Sequence, residues 1–212
     1  MSRRGQNPYA RPDARTRAAK ASGYPARSVF KLKEIDERWR LLKQGQRVLD
    51  LGAAPGSWSM YAAERVGKSG RVVGVDLQDV ERSLGDNVLF VRGDVHELAL
   101  REGAGDASAP NPVVENAPYA VVLSDMAPST SGSKGSDQAR SFELFMRALD
   151  VATRLGAKGS AFVGKIFMSG DFPTAKKAVA ERYETCRVLK PEGTRKSSTE
   201  IYVVGTGLTA KG

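Results

Sequence analysis

The sequence predicts an α/β fold in which a mostly parallel, seven-stranded sheet carries helices on both faces. Short apolar runs alternate along the chain with segments of helical periodicity. The stretch from Arg47 to Trp58 passes from an apolar run through small residues into a helical pattern, which is typical of a strand, a tight turn and a helix start. Residues 119–124 are almost wholly apolar, as expected for a strand covered by helices on both faces.

The same periodicity locates the elements in chain order. Seven strands are predicted, at 47–50, 71–75, 88–92, 119–124, 159–167, 186–189 and 200–204. Helices are predicted at 26–42, 58–66, 141–155 and 172–183. Residues 101–118 read as a surface loop or short helix, and residues 129–136, rich in Ser, Thr and Gly, as a flexible substrate flap.

The chain divides into three predicted parts. Residues 1–25 have little apolar surface to bury and predict a flexible basic N-terminal arm. Residues 26–207 form a single domain, and residues 208–212 a short tail.

The charge is unevenly distributed. The chain has a net charge of +9, and all of the excess lies in residues 1–47, which hold 13 Lys and Arg against 4 Asp and Glu. A basic segment attached to a neutral domain favours a polyanionic partner, most simply RNA bound through its phosphates. A solubilising tail is the plain alternative. An organelle transit peptide is disfavoured by Pro12, Asp13 and the lack of an apolar helical face.

The counts of cysteine and histidine restrict the chemistry. With one cysteine, Cys186, and one histidine, His96, a disulfide framework is excluded and no metal site is expected. No apolar run is long enough to span a bilayer, and the chain start lacks the apolar core of a signal peptide. We therefore expect a cytoplasmic protein without a membrane partner.

The turn after the first strand predicts a site for a nucleotide-like ligand, because backbone can approach closely over glycine and a helix start offers free N–H groups. Gly52 and Gly56 bracket Ala-Ala-Pro, so the spacing departs from the G-x-G-x-x-G fingerprint of dinucleotide sites. Asp76 ends the second strand and can accept hydrogen bonds from a ribose diol. Asp94 follows the third strand, where it is placed to contact an adenine edge if the site holds such a cofactor.

The turn D-L-G-A-A-P-G-x-W-S resembles motif I of class I S-adenosylmethionine (SAM) methyltransferases, and more narrowly the FtsJ/RrmJ family of ribosomal RNA 2′-O-ribose methyltransferases. Four residues in the contexts V-F-K-L, S-D-M-A-P, G-K-I-F and S-T-E-I-Y match that family's Lys-Asp-Lys-Glu tetrad: Lys31, Asp125, Lys165 and Glu200. The resemblance covers about residues 24–207. It departs at Ser57, where glycine is usual, and in residues 101–118, which carry no recognisable signature.

The resemblance implies a Rossmann-like class I methyltransferase fold with SAM as cofactor. It implies cofactor-binding residues at Gly52, Gly56, Trp58, Asp76, Asp94 and Asp125. Amino-group methyltransferases usually carry N/D-P-P-Y/F after the fourth strand, whereas this chain has Met126-Ala127-Pro128. That difference argues against a base amine as the methyl acceptor.

The implied reaction brings a ribose 2′-oxygen in line with the sulfonium methyl. By resemblance Lys165 is the base, whereas a charged Lys165 would instead stabilise the forming alkoxide while Asp125 orients the groups. Asp125 and Glu200 favour the charged lysine, and burial, Lys31 and the sulfonium oppose it. Lys31 and Glu200 would position the ribose and hold Lys165.

The implied partner is ribosomal RNA, most simply a uridine of the large-subunit RNA in the assembled particle, with the protein acting as a monomer. Phosphate contacts are expected from the basic arm and from Lys31, Lys33, Arg195 and Lys196. Two alternatives stay open: another RNA such as tRNA as substrate, or a non-catalytic RNA-binding assembly factor that retains the fold. An NAD-linked oxidoreductase is disfavoured because the glycine fingerprint is missing.

Overall fold

The computed structural model describes residues 13–98, 111–129, 132–192, 194 and 198–209. The described helices are α1 (Ala14–Ala21), α2 (Val29–Trp39), α3 (Ser57–Val66), α4 (Pro112–Glu115), α5 (Lys134–Leu155) and α6 (Phe172–Ala180). The strands are β1 (Arg47–Leu51), β2 (Arg71–Asp76), β3 (Val88–Arg92), β4 (Tyr119–Ser124), β5 (Gly156–Phe167), β6 (Tyr183–Leu189) and β7 (Glu200–Leu208).

The seven strands form one sheet in the order β3-β2-β1-β4-β5-β7-β6. The pairs from β3 to β5 are parallel, and β7 is antiparallel to both β5 and β6. The prediction of a mostly parallel, seven-stranded sheet is therefore confirmed. The strand order reverses between β1 and β4, which makes the carboxyl ends of these two strands a topological switch point.

Two apolar cores cover the two faces of the sheet. Alternate residues of each strand point to opposite faces, so Leu49 and Phe162 enter one core while Val48 and Val163 enter the other. The first core is closed by α4, α5 and α6, and the second by α1, α2 and α3. Helices therefore lie on both faces, as predicted.

The predicted boundary between arm and domain at residues 25/26 is wrong. Asp13 caps α1 by accepting the backbone N–H of Thr16 at 2.7 Å, and it also pairs with Arg27. Ala19 is fully buried and Tyr24 nearly so, both in the second core. Residues 13–25 thus pack on the domain despite their low apolar content, and the rest of the predicted arm lies outside the described residues.

Several element ends also differ from the prediction. At the C-terminus, Leu208 is a buried residue of β7, so the predicted tail begins too early. Helix α5 begins at Lys134, seven residues before the predicted start, so it takes up the last part of the predicted flap at 129–136. Of the predicted loop at 101–118, residues 101–110 lie outside the described residues, and the remainder contains α4.

None of the helices in the described ranges combines the length and the apolar composition needed to cross a membrane.

Asp36, near the end of α2, is a buried polar hub that ties α2 to α3. One carboxylate oxygen accepts the backbone N–H of Leu42 at 2.9 Å. The other accepts the hydroxyl of Tyr61 and the Nε–H of Arg65, each at 3.0 Å. Because Asp36 is only 2 % exposed, these bonds satisfy a charge that would otherwise be costly to bury. The hub holds the helix that carries Lys31 against the domain.

We predict that Asp36→Ala lowers the free energy of unfolding by about 2 to 4 kcal/mol, because it leaves buried donors without acceptors. Urea unfolding followed by circular dichroism measures this change. Glu37→Ala, at the exposed neighbouring position, is the control and should change the stability by less than about 0.5 kcal/mol. Equal stabilities of the two variants would contradict the role given to Asp36.

Candidate active site

A cleft of about 410 Å³ opens at the switch point between β1 and β4. Its volume lies within the range of about 300 to 1,000 Å³ that is usual for small-molecule sites. Four of the residues predicted to bind the cofactor line it: Gly52, Asp76, Asp94 and Asp125. The cleft also contains His96 and the segment from Met126 to Ser129, to which the sequence analysis gave no role in cofactor binding.

The turn after β1 is held tightly against the segment after β4. Gly52 has a φ of +79°, and a Cβ at this position would lie 2.7 Å from Cγ of Met126 and 3.1 Å from its backbone. The N–H groups of Gly52 and Ala53 both donate to the carbonyl of Val75, at 2.9 and 3.1 Å. Glycine is therefore required here for conformation and for close approach.

Backbone donors fix the strand-end carboxylates in the cleft. Asp76 accepts the N–H of Ala54 on one oxygen and that of Gln78 on the other, both at 2.9 Å. Asp94 accepts the N–H of His96 at 2.8 Å. The two carboxylates are thereby oriented before any ligand arrives, and each oxygen keeps a lone pair for a further donor.

Arg147 of α5 was missed by the sequence analysis, although it holds the loop that follows β3. Its Nε–H donates to the carbonyl of Val95 at 2.8 Å, and its Nη2 donates to the carbonyls of His96 at 3.4 Å and Leu98 at 3.0 Å. One terminal nitrogen also pairs with Asp150 at 2.9 Å. No local sequence signal links residue 147 to a loop fifty residues earlier.

Two of the predicted cofactor residues do not line the cleft. Gly56 caps α3 with a φ of +105°, and a Cβ there would lie 2.3 Å from Cδ2 of Leu84. Trp58 is 3 % exposed, and its indole N–H donates to the carbonyl of Ser28 at 2.9 Å. The side chain of Trp58 thus belongs to the second core, and the role of this residue in binding the cofactor stays a prediction.

The four tetrad residues meet beside the cleft as two buried ion pairs. Lys31 pairs with Glu200, and Nζ of Lys165 lies 3.1 Å from Oδ1 of Asp125. Nζ of Lys165 also donates to the backbone carbonyl of Asp125. The side chains of all four residues are no more than 16 % exposed. The structure therefore brings together the residues that the sequence analysis grouped.

Strand register explains this convergence. Lys165 of β5 lies opposite Tyr202 of the antiparallel β7, so the two side chains share a face with Glu200, two residues before Tyr202. Asp125 directly follows β4, and Lys31 reaches the same face from α2. Four separate parts of the chain thus bring the tetrad residues to the same edge of the sheet.

Tyr202 is a further member of the cluster that the sequence analysis did not single out. Its hydroxyl donates to Oδ1 of Asp125 at 2.6 Å. Its ring centroid lies 5.8 Å from that of Trp58, and Nζ of Lys31 lies 5.9 Å from it. The period of two from Glu200 was the available signal, because it places residue 202 on the same face of β7.

The cluster stabilises the charged form of Asp125. Burial alone would raise the pKa of this carboxyl group, but Lys165, Lys31 and the hydroxyl of Tyr202 outweigh burial and hold the pKa below its usual value. Burial, together with the carboxylates of Asp125 and Glu200, raises the pKa of Tyr202 well above its usual value. Asp125 is therefore a carboxylate at neutral pH, and Tyr202 is a neutral hydrogen-bond donor.

Asp50, in β1 beneath the turn, is in a contrasting environment. It is fully buried, and its Oδ2 accepts the hydroxyl of Ser59 at 2.6 Å, while Oδ1 has no hydrogen-bond partner in the described part of the chain. Burial raises the pKa of Asp50 to about 7, against the opposing effect of the Ser59 hydrogen bond.

A doubly wound sheet with a strand-end carboxylate cleft at its switch point, next to a Lys-Asp-Lys-Glu cluster, defines a class I SAM-dependent methyltransferase. The comparisons with known proteins agree with that class. The FtsJ-like methyltransferase model matches residues 24–208, and the chain belongs to this family.

A named relative and a solved structure are similar to the chain over most of its length. It is 58 % identical, over all of its 212 residues and 95 % of the relative's length, to ribosomal RNA large subunit methyltransferase E of Sorangium cellulosum. A crystal structure of a ribosomal RNA methyltransferase from Plasmodium falciparum shares the fold, with a TM-score of 0.76 and 23 % identity over 89 % of this chain and 100 % of the other.

A structure with bound cofactor shares the fold at greater distance. Fibrillarin of Aeropyrum pernix, solved with natively bound SAM, has a TM-score of 0.53 and 14 % identity over 78 % of this chain and 68 % of its own. The family and the fold together make this chain a SAM-dependent methyltransferase.

We predict that Asp76→Ala weakens SAM binding about ten-fold to a hundred-fold, because it removes the strand-end carboxylate and releases the N–H of Ala54 in the turn. Isothermal titration calorimetry with SAM measures the dissociation constant. Asp79→Ala removes an exposed carboxylate that is paired only with the exposed Arg92 among the described residues, and it should bind SAM as the wild type does. A wild-type dissociation constant for Asp76→Ala would remove Asp76 from the cofactor site.

We predict that Asp50 makes the SAM-free protein less stable as the pH rises from 5 to 7. Since the pKa of Asp50 is raised to about 7, the native state keeps a proton that the unfolded chain has already lost. The free energy of unfolding should therefore fall by about 1 kcal/mol per pH unit relative to Asp50→Asn, and level off above pH 8. Urea unfolding at pH 5, 6, 7 and 8 measures it, and parallel profiles for the two proteins would refute the assignment.

Proposed function

We propose that the chain transfers the methyl group of SAM to the 2′-hydroxyl of a ribose in large-subunit ribosomal RNA, most simply that of a uridine. The observation that carries the proposal is the buried Lys165–Asp125 pair, which lies beside the cofactor cleft and is joined by Lys31, Glu200 and Tyr202. The choice of RNA is supported by the relatives, which are named as ribosomal RNA large subunit methyltransferases.

The cleft fits the proposed cofactor. When bound, SAM supplies an electrophilic methyl group on a positively charged sulfur. Asp76 would accept the two hydroxyls of the adenosine ribose, and Asp94 the exocyclic amine of adenine, through lone pairs that the backbone donors leave free. Gly52 would keep the turn close to Met126, so that both residues line the cleft that would hold the cofactor.

Lys165 is the residue proposed to act on the acceptor oxygen. Its Nζ is fixed by the carboxylate and the carbonyl of Asp125, so it is held in one place when the ribose arrives. A neutral amine at this position would remove the hydroxyl proton, and an ammonium would stabilise the negative charge that forms on the oxygen. In both roles the fixed position of Nζ supplies the alignment that the transfer needs.

The remaining side chains position the ribose. Glu200 is held by Lys31 at the outer end of the cluster, where a carboxylate can accept a hydrogen bond from a sugar hydroxyl. Tyr202 holds Oδ1 of Asp125 in place through the hydrogen bond from its hydroxyl. Met126, Ala127 and Pro128 offer no aromatic ring for a target amine, which favours a hydroxyl as the acceptor.

The basic N-terminal segment is proposed to contact RNA phosphates. In α1, the side chains of Arg15, Arg17 and Lys20 are exposed. Lys31 and Lys33 are less suited to that role than the sequence predicted, because Lys31 is paired with Glu200 and Lys33 lies 4.4 Å over the ring of Tyr24. Arg195 and Lys196 lie outside the described residues. We further propose that the protein acts as a monomer in the cytoplasm, where large subunits are assembled.

We predict that Lys165→Ala abolishes methyl transfer while leaving SAM affinity nearly unchanged, because it removes the amine that faces the acceptor but leaves the cofactor cleft intact. The assay uses radiolabelled SAM and large ribosomal subunits from cells that lack this enzyme. Lys158→Ala, at an exposed position near the other end of β5, is the matched control and should transfer at the wild-type rate.

The product separates the alternatives. Nuclease digestion and mass spectrometry of the labelled RNA should find a 2′-O-methylated nucleoside in large-subunit RNA. A methylated base would overturn the proposed acceptor, and label in tRNA alone would overturn the proposed RNA. Tight RNA binding without any transfer by the wild type would favour the assembly factor. Near-normal turnover by Lys165→Ala would exclude Lys165 from the mechanism.

A further inference from the structure

Phe167 is the last residue of β5 and lies at the mouth of the catalytic cluster. It is paired with Glu200 of β7 in the antiparallel register, two residues beyond the pair of Lys165 and Tyr202. Because side chains alternate between faces, these two pairs share one face of the sheet. Two residues along a strand span about 7 Å, which is close to the distance between a ribose and the far side of its base.

The ring of Phe167 is not part of either apolar core. The side chains of Phe162 and Ile166 on the same strand are fully buried, whereas Phe167 is partly exposed. Within the described residues, it is absent both from the two buried clusters and from the partly buried side chains that pack against them. A large apolar ring left at the opening of a charged site offers a surface for a flat ligand group.

The backbone that carries this ring is fixed from two sides. The N–H of Phe167 donates to Oγ of Ser141 at 3.0 Å. The next residue, Met168, donates its N–H to the carbonyl of Thr199 at 2.8 Å and accepts a hydrogen bond from the side-chain amide of Gln138 at 2.7 Å. The ring is therefore mounted on a rigid strand end, as a preorganised contact requires.

We propose that Phe167 forms the subsite for the target base, and that its ring stacks on the base of the nucleotide whose ribose is methylated. The inference rests on the proposed function. When the 2′-oxygen lies at Lys165, the buried part of the sheet blocks one side of the ribose. The attached base must then point toward the open mouth of the cluster. Proteins hold splayed-out RNA bases by stacking them on aromatic rings. The ring of Phe167 on β5 thus provides the aromatic surface that the segment after β4 lacks.

Phe167→Leu should raise KM for large ribosomal subunits at least ten-fold, while the SAM dissociation constant and the melting temperature stay at the wild-type values. Phe167→Tyr keeps the ring face and should restore KM to within about two-fold of the wild type. Met168→Leu, at the adjacent position that is 45 % exposed, is the control and should behave as the wild type does. An unchanged KM for Phe167→Leu, or an equal loss for Phe167→Tyr, would overturn the proposal.

A double-mutant cycle tests the stacking partner directly. Wild type and Phe167→Leu are assayed on subunits reconstituted with either the normal nucleotide or an abasic ribose at the mapped position. If the ring stacks on the base, the substitution costs at least ten-fold on the normal RNA and less than two-fold on the abasic RNA. Equal costs on both RNAs would refute stacking. Absence of any 2′-O-methyl product with the wild type would instead refute the proposed function, which the mass-spectrometric assay reports separately.

Discussion

The architecture of the site depends on keeping Asp125 charged inside the protein. An isolated buried carboxylate would be too costly, so its partners must be supplied by other elements. Lys165 comes from β5 and Tyr202 from β7, and both reach Oδ1 of Asp125. The antiparallel strand β7 helps to meet this requirement, because its register places Tyr202 beside Lys165. The same register brings Glu200 to Lys31, with which it forms an ion pair.

Asp125 also couples the Lys-Asp-Lys-Glu cluster to the cleft at the switch point. Its N–H donates to the carbonyl of Leu51 at 3.3 Å, which ties it to the turn that begins at Gly52. The same residue lines the cleft and accepts Lys165. A shift of the segment after β4 would therefore move the turn after β1 and Lys165 together, which would keep the two reactants of the proposed transfer at a fixed distance.

The sequence was informative where local pattern determines structure. Apolar runs located all seven strands, and the residues at strand ends, such as Asp76 and Lys165, were placed correctly because the carboxyl ends of parallel strands share one edge. Helix α1 was missed because its contribution to the core is small, with Ala19 and the nearby Tyr24 as its buried residues. The burial of the Trp58 side chain was not predicted, because a motif fixes the position of a residue's backbone and not the direction of its side chain. The contacts of Arg147 and Tyr202 depend on tertiary packing between distant elements, which periodicity does not encode.

Two aspartates near the same edge of the sheet show how partners, rather than burial, decide charge. Asp50 is fully buried with one hydroxyl as its donor, and burial raises its pKa to about 7. Asp125 is also deeply placed, but two ammonium groups and a phenol keep its pKa below the usual value. Below pH 7, Asp50 therefore adds little negative charge beneath the turn, whereas Asp125 stays a carboxylate. The carboxylate of Asp125 thereby keeps its charge at the wall of the cleft, and the ammonium groups beside it balance that charge.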